Sequence, residues 1–263
     1  MPYQKKKWTF KKSNEVEINF NGKYGAPGER RAKRVKATPE QIRKQNQWNR
    51  EKRVRRLIKA NFEAGDYWIT LTYRAGERKP PEDAKYDLRG FFKKLRTVYR
   101  KNGQELKFIY RTEIGKRGAI HHHMVINRLR GEPATDVIVE RAWKHGHVSF
   151  SLLHEEGDFK ALAAYITKRD LEETDEVKET VNYSTSRNLI RPKPETKFYS
   201  RMTLKKSIEE GIRPTKGYLV DKDSIVCGVN PVTGKSYLHY TEVKIRGNTG
   251  NRAAKKKKMR GEK

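Results

Sequence analysis

Cysteine is almost absent from this sequence, since Cys227 is the only one among 263 residues. A single cysteine excludes an internal disulfide and any zinc site built on several thiolates. The chain is therefore unlike the small secreted domains that disulfides hold together, and we expect a reducing, cytoplasmic setting.

Long apolar runs are missing as well. Hydrophobic residues make up 34% of the chain, and no stretch approaches the roughly 20 apolar residues of a transmembrane helix. The start, MPYQKKKWTF, lacks the apolar centre of a secretory signal. We therefore expect no membrane partner, and a hydrophobic core that is concentrated in part of the chain.

Acidic side chains are few beside basic ones. The chain has 61 Lys and Arg against 32 Asp and Glu, which gives a formal net charge of +29. A net positive charge of this size attracts polyanions, and it says little about the fold. Because no strong amphipathic apolar face is available for a membrane surface, the expected partner is nucleic acid.

A nucleotide-binding P-loop is also missing, although the segment GVNPVTGKS is similar to one. One residue too many separates Gly228 from Gly234, and the flanks predict strand–turn–strand rather than strand–loop–helix. We therefore expect no nucleotide cofactor and no nucleotide-driven helicase activity.

The segment FIYRTEIGKRGAIHHHMVI, residues 108–126, predicts a β-hairpin. Two apolar runs flank GKRG, whose glycines permit the positive φ angles of a tight turn. Side chains alternate along a strand, so His121 and His123 share one face and His122 takes the other. A turn centred on Arg117 places Glu113 opposite His121.

One face of this hairpin would therefore carry Glu113, His121 and His123. A carboxylate and two imidazoles form an open ligand set for a divalent metal such as Mg²⁺ or Mn²⁺, with room for a substrate oxygen. His145 and His147 form a second His-x-His pair at a predicted helix-to-strand turn, with no carboxylate opposite. That pair is the alternative metal site.

Downstream, residues 157–171 predict an amphipathic helix with Asp158 as its N-cap. Its apolar stripe is formed by Phe159, Leu162, Ala163 and Ile166. Tyr165 lies outside this stripe, and Lys168 is its neighbour three residues later on the same face. Because a nearby cation and a nearby metal both favour a phenolate, Tyr165 is the candidate nucleophile.

Together these segments resemble the HUH endonucleases. His-His-His in GAIHHHMVI is similar to the HUH motif, AAYITKR to the family's Tyr-x-x-Lys motif, and WITLTY, with Thr70 and Thr72, to its first motif. The resemblance covers Tyr67 to Leu171 and points to rolling-circle replication initiators of the filamentous-phage gene II kind. Two positions depart from the pattern: His122 is polar, and Ala161 replaces the second Tyr of two-tyrosine members.

The resemblance implies a metal-dependent endonuclease and strand transferase that acts on single-stranded DNA. Tyr165 would give a 5′-phosphotyrosine and a free 3′-hydroxyl, and Lys168 would stabilise the developing charge. The implied partners are single-stranded DNA or an origin hairpin, with a host helicase and polymerase. Two other interpretations stay open: a non-catalytic nucleic-acid-binding protein on an RRM-like sheet, and a relaxase or transposase with the same chemistry.

The element pattern predicts an α+β fold. The order β-α-β-β-α-β-α resembles the split βαβ plan of ferredoxin-like and RRM-like domains, an antiparallel sheet with helices on one face that leaves the other for DNA and metal. Residues 15–20 predict an edge strand, and Asp87 is predicted to cap a helix that stops at Asn102-Gly103. KGYLVDKDSIVCGV and KSYLHYTEVKI predict two further strands.

Composition predicts four segments. These are a basic arm and helix in residues 1–62, the HUH domain in 63–181, an extension with a β-hairpin in 182–247, and a disordered basic tail in 248–263. In the first segment a capping box of Thr38, Pro39 and Gln41 begins a helix that runs to about Asn61.

Basic side chains on this helix and on the metal hairpin are the candidate DNA contacts. Cations that bind phosphates release counterions, which makes such contacts favourable. The candidates are Arg43, Lys44, Arg50, Arg53, Arg55, Arg56, Lys59, Arg111, Lys116 and Arg117.

Overall fold

The computed structural model describes residues 3–20, 36–115, 117–154, 159–168, 183–199, 204, 207, 210–230 and 235–245. Contacts divide the chain into two compact units. One is residues 38–192, here the palm unit, and the other joins residues 1–37 to 193–263, here the terminal unit. The four predicted segments follow composition instead, and the predicted tail 248–263 lies outside the described residues.

The helices and strands follow one another along the chain in a β-rich order. They are β1 (Tyr3–Thr9), β2 (Ser13–Phe20), α1 (Pro39–Asn61), β3 (Tyr67–Thr72), α2 (Pro81–Lys101), β4 (Phe108–Ile114), β5 (Ile120–Ile126), α3 (Thr135–Ala142), β6 (Val148–Leu152), α4 (Lys160–Thr167), β7 (Ser184–Thr185), β8 (Glu195–Tyr199), β9 (Tyr218–Asn230) and β10 (Lys235–Lys244). In the described part of the chain, no helix is long and apolar enough to cross a membrane.

The terminal unit contains a five-stranded antiparallel sheet in the order β8-β1-β2-β10-β9. Its core includes Tyr3, Val16, Ile18, Leu238 and Tyr240. The two predicted C-terminal strands are present as β9 and β10. The prediction that residues 15–20 form an edge strand is wrong, because β10 pairs with β2 on the side opposite β1. That partner comes from the far end of the chain, which the local pattern does not reveal.

The palm unit contains a second antiparallel sheet, in the order β6-β3-β5-β4-β7. The described residues form two antiparallel sheets and four helices, so the predicted α+β fold is confirmed. Helices α2 and α3 cover one face of this sheet, where Leu95 and Ile138 pack with Met124 and Phe108.

The opposite face of the palm sheet is also partly covered, by α1 and α4. Val54 and Ile58 of α1 pack with Ile109 and Val125 of the sheet and with Ile166 of α4. The sequence predicted helices on one face only. The difference arises because the basic helix α1 carries a short buried stripe of Val54, Leu57 and Ile58.

Two helix starts follow from local capping. At α1 the capping box is present, since Thr38 Oγ1 accepts from the Gln41 N–H at 3.2 Å and the Thr38 N–H donates to Gln41 Oε1 at 3.0 Å. Helix α2 begins at Pro81 rather than at a cap on Asp87. Proline suits the first helical turn because its missing N–H is not needed there, and Asp87 instead accepts a hydrogen bond from the Tyr73 hydroxyl at 3.2 Å.

Helix α4 is shorter than predicted, with two turns that end at Thr167. The predicted cap, Asp158, lies outside the described residues. Phe159 takes the N-cap position with a left-handed backbone, φ 58°. Lys168 follows the last helical residue in an extended conformation, so the spacing argument that placed it beside Tyr165 on a helix face does not describe it.

Candidate active site

The hairpin β4–β5 has the predicted register. Glu113 pairs with His121 and Arg111 with His123. The turn between the strands is closed by two backbone bonds, from Gly115 N–H to Ala119 O and from Gly118 N–H to Gly115 O, both at 2.8 Å. Gly118 has a φ of 75°, a conformation that favours glycine. As a result, the rings of His121 and His123 stack on one face, with centroids 6.3 Å apart and an angle of 19° between planes.

Tyr165 of α4 meets this face of the hairpin. Its hydroxyl lies 3.0 Å from Glu113 Oε2 and 3.0 Å from His123 Nε2. Glu113 Oε2 and His123 Nε2 are themselves 3.6 Å apart. Tyr165 is 38% exposed, so a substrate can reach it. The structure therefore brings three of the predicted site residues together around one oxygen atom.

The oxygen and nitrogen atoms that meet here are of the kinds that bind divalent metals. Glu113 Oε2 and His123 Nε2, 3.6 Å apart, are close enough for one ion to bridge with bonds of about 2.0–2.2 Å. His121 shares the face, and its Nε2 would lie 3.5 Å from a Cβ added to Gly115. Within the described ranges, however, no three His, Cys, Asp or Glu side chains are arranged as a metal site.

His123 is held in a defined orientation. Its Nδ1 lies 3.0 Å from Thr70 Oγ1, and the Trp68 ring stacks on it with centroids 5.8 Å apart and planes within 10°. Burial lowers the pKa of His123, and the nearby Glu113 carboxylate opposes that shift only in part. The imidazole is therefore neutral at physiological pH, the state in which Nε2 can accept a proton or ligate a metal.

The motif-one threonines have different roles. Thr70 orients His123, as its position opposite that residue on β3 allows. Thr72 lies opposite His121, and its hydroxyl donates to the His147 backbone oxygen at 3.3 Å. Thr70 therefore supports the site directly, whereas Thr72 ties β3 to the chain before β6.

His122 points to the other face of the sheet and is buried. Its Nδ1 lies 2.8 Å from Thr112 Oγ1, and the rings of Tyr73 and Trp143 meet it edge-on. Burial, with smaller contributions from His123 and His121, lowers the pKa of His122 to about 4. A neutral ring in this pocket fills the space of an apolar side chain, which accounts for its departure from the usual motif.

Arg111 lies in the interior, where a phosphate cannot reach it, so the prediction that it contacts DNA is wrong. It is 1% exposed, and its Nη1 donates to the Tyr165 backbone oxygen at 2.8 Å. Strand alternation places Arg111 on the same face as Glu113, toward α4. Sequence reasoning missed this role of Arg111, although strand alternation places Arg111 on the same face as Glu113 and His123 and could have indicated it.

Lys168 stands at the end of α4. Its backbone N–H donates to the Tyr165 oxygen at 3.3 Å, and the residue is exposed. Two donors, the Arg111 guanidinium and the Lys168 backbone N–H, thus converge on the carbonyl oxygen of the candidate nucleophile. The proposed role of the Lys168 side chain stays a prediction.

The alternative pair has a carboxylate nearby after all. His145 Nδ1 lies 3.6 Å from Asp87 Oδ2, which also accepts from the Tyr73 hydroxyl and lies 3.7 Å from Lys79 Nζ. Asp87 comes from α2, so the sequence around His145 could not show it. His147 contributes its backbone oxygen to the Thr72 contact.

The predicted DNA contacts on α1 differ in exposure. Arg43 and Arg53 are exposed, and Lys44 is exposed while it pairs with Glu40 at 2.8 Å. The half-buried members are Arg50, Arg55, Arg56 and Lys59. On the hairpin, Arg117 is exposed and its backbone oxygen accepts from Arg78 Nε at 2.8 Å, whereas Lys116 lies outside the described residues. Contact of these side chains with DNA stays a prediction.

Part of the chain matches a known protein family. Residues 66–170 match the family model of the replication-associated protein ORF2/G2P. No curated protein and no solved structure matches the chain. The matched segment contains the whole candidate site, from Thr70 on β3 to Tyr165 on α4.

Proposed function

We propose that this chain initiates replication by nicking single-stranded DNA with Tyr165, since residues 66–170 match the family model of the replication-associated protein ORF2/G2P. One observation carries the proposal: the Tyr165 hydroxyl lies 3.0 Å from both a carboxylate and a neutral imidazole. A phenol that donates to a carboxylate beside a neutral imidazole is a usable nucleophile. A cytoplasmic setting, with Cys227 as an exposed free thiol, is part of the proposal.

Glu113, His121 and His123 would hold a divalent ion, Mg²⁺ or Mn²⁺, which when bound would polarise the scissile phosphate. The donor set of this face supports that assignment, since one carboxylate and two imidazoles suit such ions. The chain itself keeps these side chains in place, through Thr70 and Trp68 around His123 and through the closed turn beside His121.

In the proposed reaction the Tyr165 oxygen attacks phosphorus in line with the bond to the 3′ oxygen. A P–O bond to Tyr165 forms, and the P–O3′ bond breaks. The phenol proton passes to the Glu113 carboxylate, which already accepts the hydrogen bond of the Tyr165 hydroxyl, and the departing 3′ oxygen takes up a proton to become a hydroxyl. One phosphodiester bond replaces another, so the reverse reaction can join strands without a nucleotide.

In this proposal, the nucleophile Tyr165 is positioned by neighbouring side chains that do not contact the substrate. Arg111 holds the backbone oxygen of Tyr165 from inside the sheet. The rings of Trp68 and His123 meet the Tyr165 ring edge-on, with centroids 5.8 and 5.1 Å away. Such supports matter because a reacting atom displaced by about 1 Å can lose a hundredfold in rate.

The substrate would be a single strand or an extruded hairpin, since a duplex obstructs an in-line approach. A binding-only protein on the same sheet would need no phenol between Glu113 and His123, which is why we favour catalysis. A relaxase or transposase would share this chemistry and differ in its DNA target.

The decisive experiment incubates the full chain with end-labelled single-stranded DNA from its own locus and Mn²⁺. A covalent protein–DNA adduct should survive denaturing electrophoresis, carry the 5′ end of the cleaved product, and disappear when EDTA is added. Tyr86→Phe is a matched control, since Tyr86 is 75% exposed and outside the site. If the wild-type chain binds these strands but forms no adduct under any divalent ion, the chain is a binding protein and the proposal fails.

A further inference from the structure

A cleft of about 590 Å³ opens at the edge of the palm sheet, away from the candidate active site. The last turns of α2, the start of β4 and the segment after β7 line it. Phe108 in its wall packs on the face that α2 covers. Glu113 is five residues further along the same strand, so strand alternation turns its side chain to the opposite face. The cleft and Tyr165 therefore lie on opposite faces of one sheet.

The wall of the cleft is fixed by hydrogen bonds. The Ser186 N–H donates to the Phe108 oxygen at 2.9 Å, and the Phe108 N–H donates to Ser186 Oγ at 3.1 Å. Asn188 Nδ2 donates to the Leu106 oxygen at 3.2 Å and to Glu105 Oε2 at 3.1 Å. These bonds pin the segment after β7 to the start of β4, so the cleft is formed before any ligand arrives.

Positive charge dominates the lining. Arg96, Arg100 and Arg187 are exposed, and in the part of the chain that the structure describes no carboxylate forms a salt bridge with them. The only acid in the lining is Glu105, which accepts from Asn188. Guanidinium groups without acidic partners are suited to bind phosphates, often with two parallel hydrogen bonds.

Arg96 is anchored on an aromatic pair. Its guanidinium carbon lies 5.8 Å from the Phe92 centroid and 5.5 Å from the Phe108 centroid, and these two rings stack 4.0 Å apart. Phe108 is only 4% exposed, so a base cannot stack on it. The guanidinium above the rings is the planar group that a base would meet, and arginine planes stack on unpaired bases in nucleic-acid complexes.

We propose that this cleft is a second binding site for single-stranded nucleic acid. Arg100 and Arg187 bind backbone phosphates, and Arg96 stacks on a base. The volume falls in the range of about 300–1,000 Å³ that suits small organic ligands, so one or two nucleotides fill it. The inference rests on the proposed function only in taking the ligand to be the strand that Tyr165 cuts. The second site then holds a part of that strand away from the scissile phosphate.

The test measures binding rather than cleavage, in a Tyr165→Phe chain with EDTA present. Fluorescence anisotropy with labelled oligo-dT of about 8 and about 30 nucleotides is recorded over a salt series. Replacing Arg96, Arg100 and Arg187 by Gln should flatten the log–log salt slope for the long strand by about 1.4, since Arg100 and Arg187 each bind a phosphate and each phosphate contact of a single strand contributes about 0.7. The salt slope for the short strand should flatten less, because a short strand can bind at the Tyr165 face without reaching the cleft.

The matched control replaces Arg89, Lys93 and Lys101 by Gln. These three cations are exposed on α2 and stand outside the lining, so the net charge falls equally. Equal loss of slope in both triple variants would overturn the proposal, because the effect would then come from the overall field. A synthetic polyglutamate peptide is the second ligand. If the cleft variant weakens polyglutamate binding and leaves the oligonucleotide unaffected, the cleft binds acidic protein surfaces and the proposal is wrong.

If the triple variant fails to fold, a measurement on the unsubstituted cleft still tests the proposal. Photo-crosslinking of an oligonucleotide with iodouracil should label peptides that span residues 96–108 or 183–189, and labels confined to other peptides would overturn the proposal. Failure of the proposed nicking is distinguishable, because it appears as a missing covalent adduct in the wild-type chain while the salt slopes here are unaffected.

Discussion

The Tyr165 hydroxyl and Glu113 Oε2 lie 3.0 Å apart, although 52 positions separate the two residues in sequence. The carboxylate orients the phenol and is placed to accept its proton. The same oxygen also reaches His123, so each partner of Tyr165 is a group that was assigned to the metal on sequence grounds. The candidate nucleophile and two of the candidate metal ligands therefore form one hydrogen-bonded cluster, and substitutions within it separate their roles.

Tyr165→Phe should abolish the covalent adduct and change single-strand affinity by less than about twofold, because it removes one hydroxyl and keeps the ring contacts with Trp68 and His123. Denaturing electrophoresis measures the adduct, and anisotropy measures the affinity. A persisting adduct would show that another tyrosine attacks, and Tyr183 and Tyr199 would be the next candidates.

His123→Ala should remove metal-dependent nicking, since it deletes the ligand next to Glu113 and the acceptor next to Tyr165. His121→Ala should likewise raise the Mn²⁺ concentration required for half-maximal nicking. The control is a double substitution of His145 and His147 by Ala, which should leave the metal titration unchanged. Loss of metal response in the control alone would move the metal to that pair.

His122 should make the protein sensitive to acid. Its folded-state pKa is about 4, below the ordinary value of 6.5, so the unfolded chain binds the proton first as pH falls. The stability that a neutral His122 provides is full above pH 6.5 and is lost progressively toward pH 4, by up to about 3 kcal/mol. Urea unfolding at several pH values measures it.

The matched variant for this pH dependence is His122→Gln, which keeps a polar group beside Thr112 and cannot titrate. Its unfolding free energy should fall less steeply between pH 6.5 and 4 than that of the wild-type chain. Parallel curves for the two proteins would mean that other groups cause the acid sensitivity.

Arg111→Met should slow adduct formation by about tenfold to a hundredfold while leaving single-strand affinity nearly unchanged, because the buried cation positions the Tyr165 backbone and does not meet DNA. Single-turnover rates at saturating DNA measure the effect. Arg111→Lys should recover part of the rate, as a shorter donor to the same oxygen. A variant that loses affinity but keeps its saturated rate would return Arg111 to DNA binding.

Arg43 and Arg53 on α1 should contribute to affinity through phosphates. Their joint replacement by Gln should flatten the salt slope for single strands by about 1.4, at about 0.7 for each contact, and leave cleavage of saturated substrate intact. Affinity should fall for every sequence alike. If affinity for random strands is unchanged while affinity for the origin collapses, α1 reads bases instead.

The local rules of strands and caps made the hairpin predictable. The register of Glu113 against His121 follows from alternation and a single turn centre, and the start of α1 follows from its capping box. Tyr165 stood out because the apolar stripe of its helix was complete without it. Each of these inferences needs only neighbours within a few residues.

Long-range partners could not be found in this way. The position of β2 depends on β10, and the cover that α1 gives to the sheet depends on its packing with α4. The location of Arg111 was mispredicted because its charge suggested a surface position. It is buried because its strand lies between two layers of helices. In each case the deciding neighbour lies far away in sequence.

The order of strands in the terminal sheet has a consequence for how the protein is made. Ile18 on β2 pairs with Leu238 on β10, about 220 residues later. The ribosome therefore releases β1 and β2 long before β10 is synthesised. During the synthesis of residues 38–192, the edge of β2 that pairs with β10 has no partner strand. Such distant pairing is slow to form, and a waiting edge can capture a neighbouring nascent chain. The palm unit can fold first because all strands of its sheet lie within residues 38–192, and the terminal sheet is completed last.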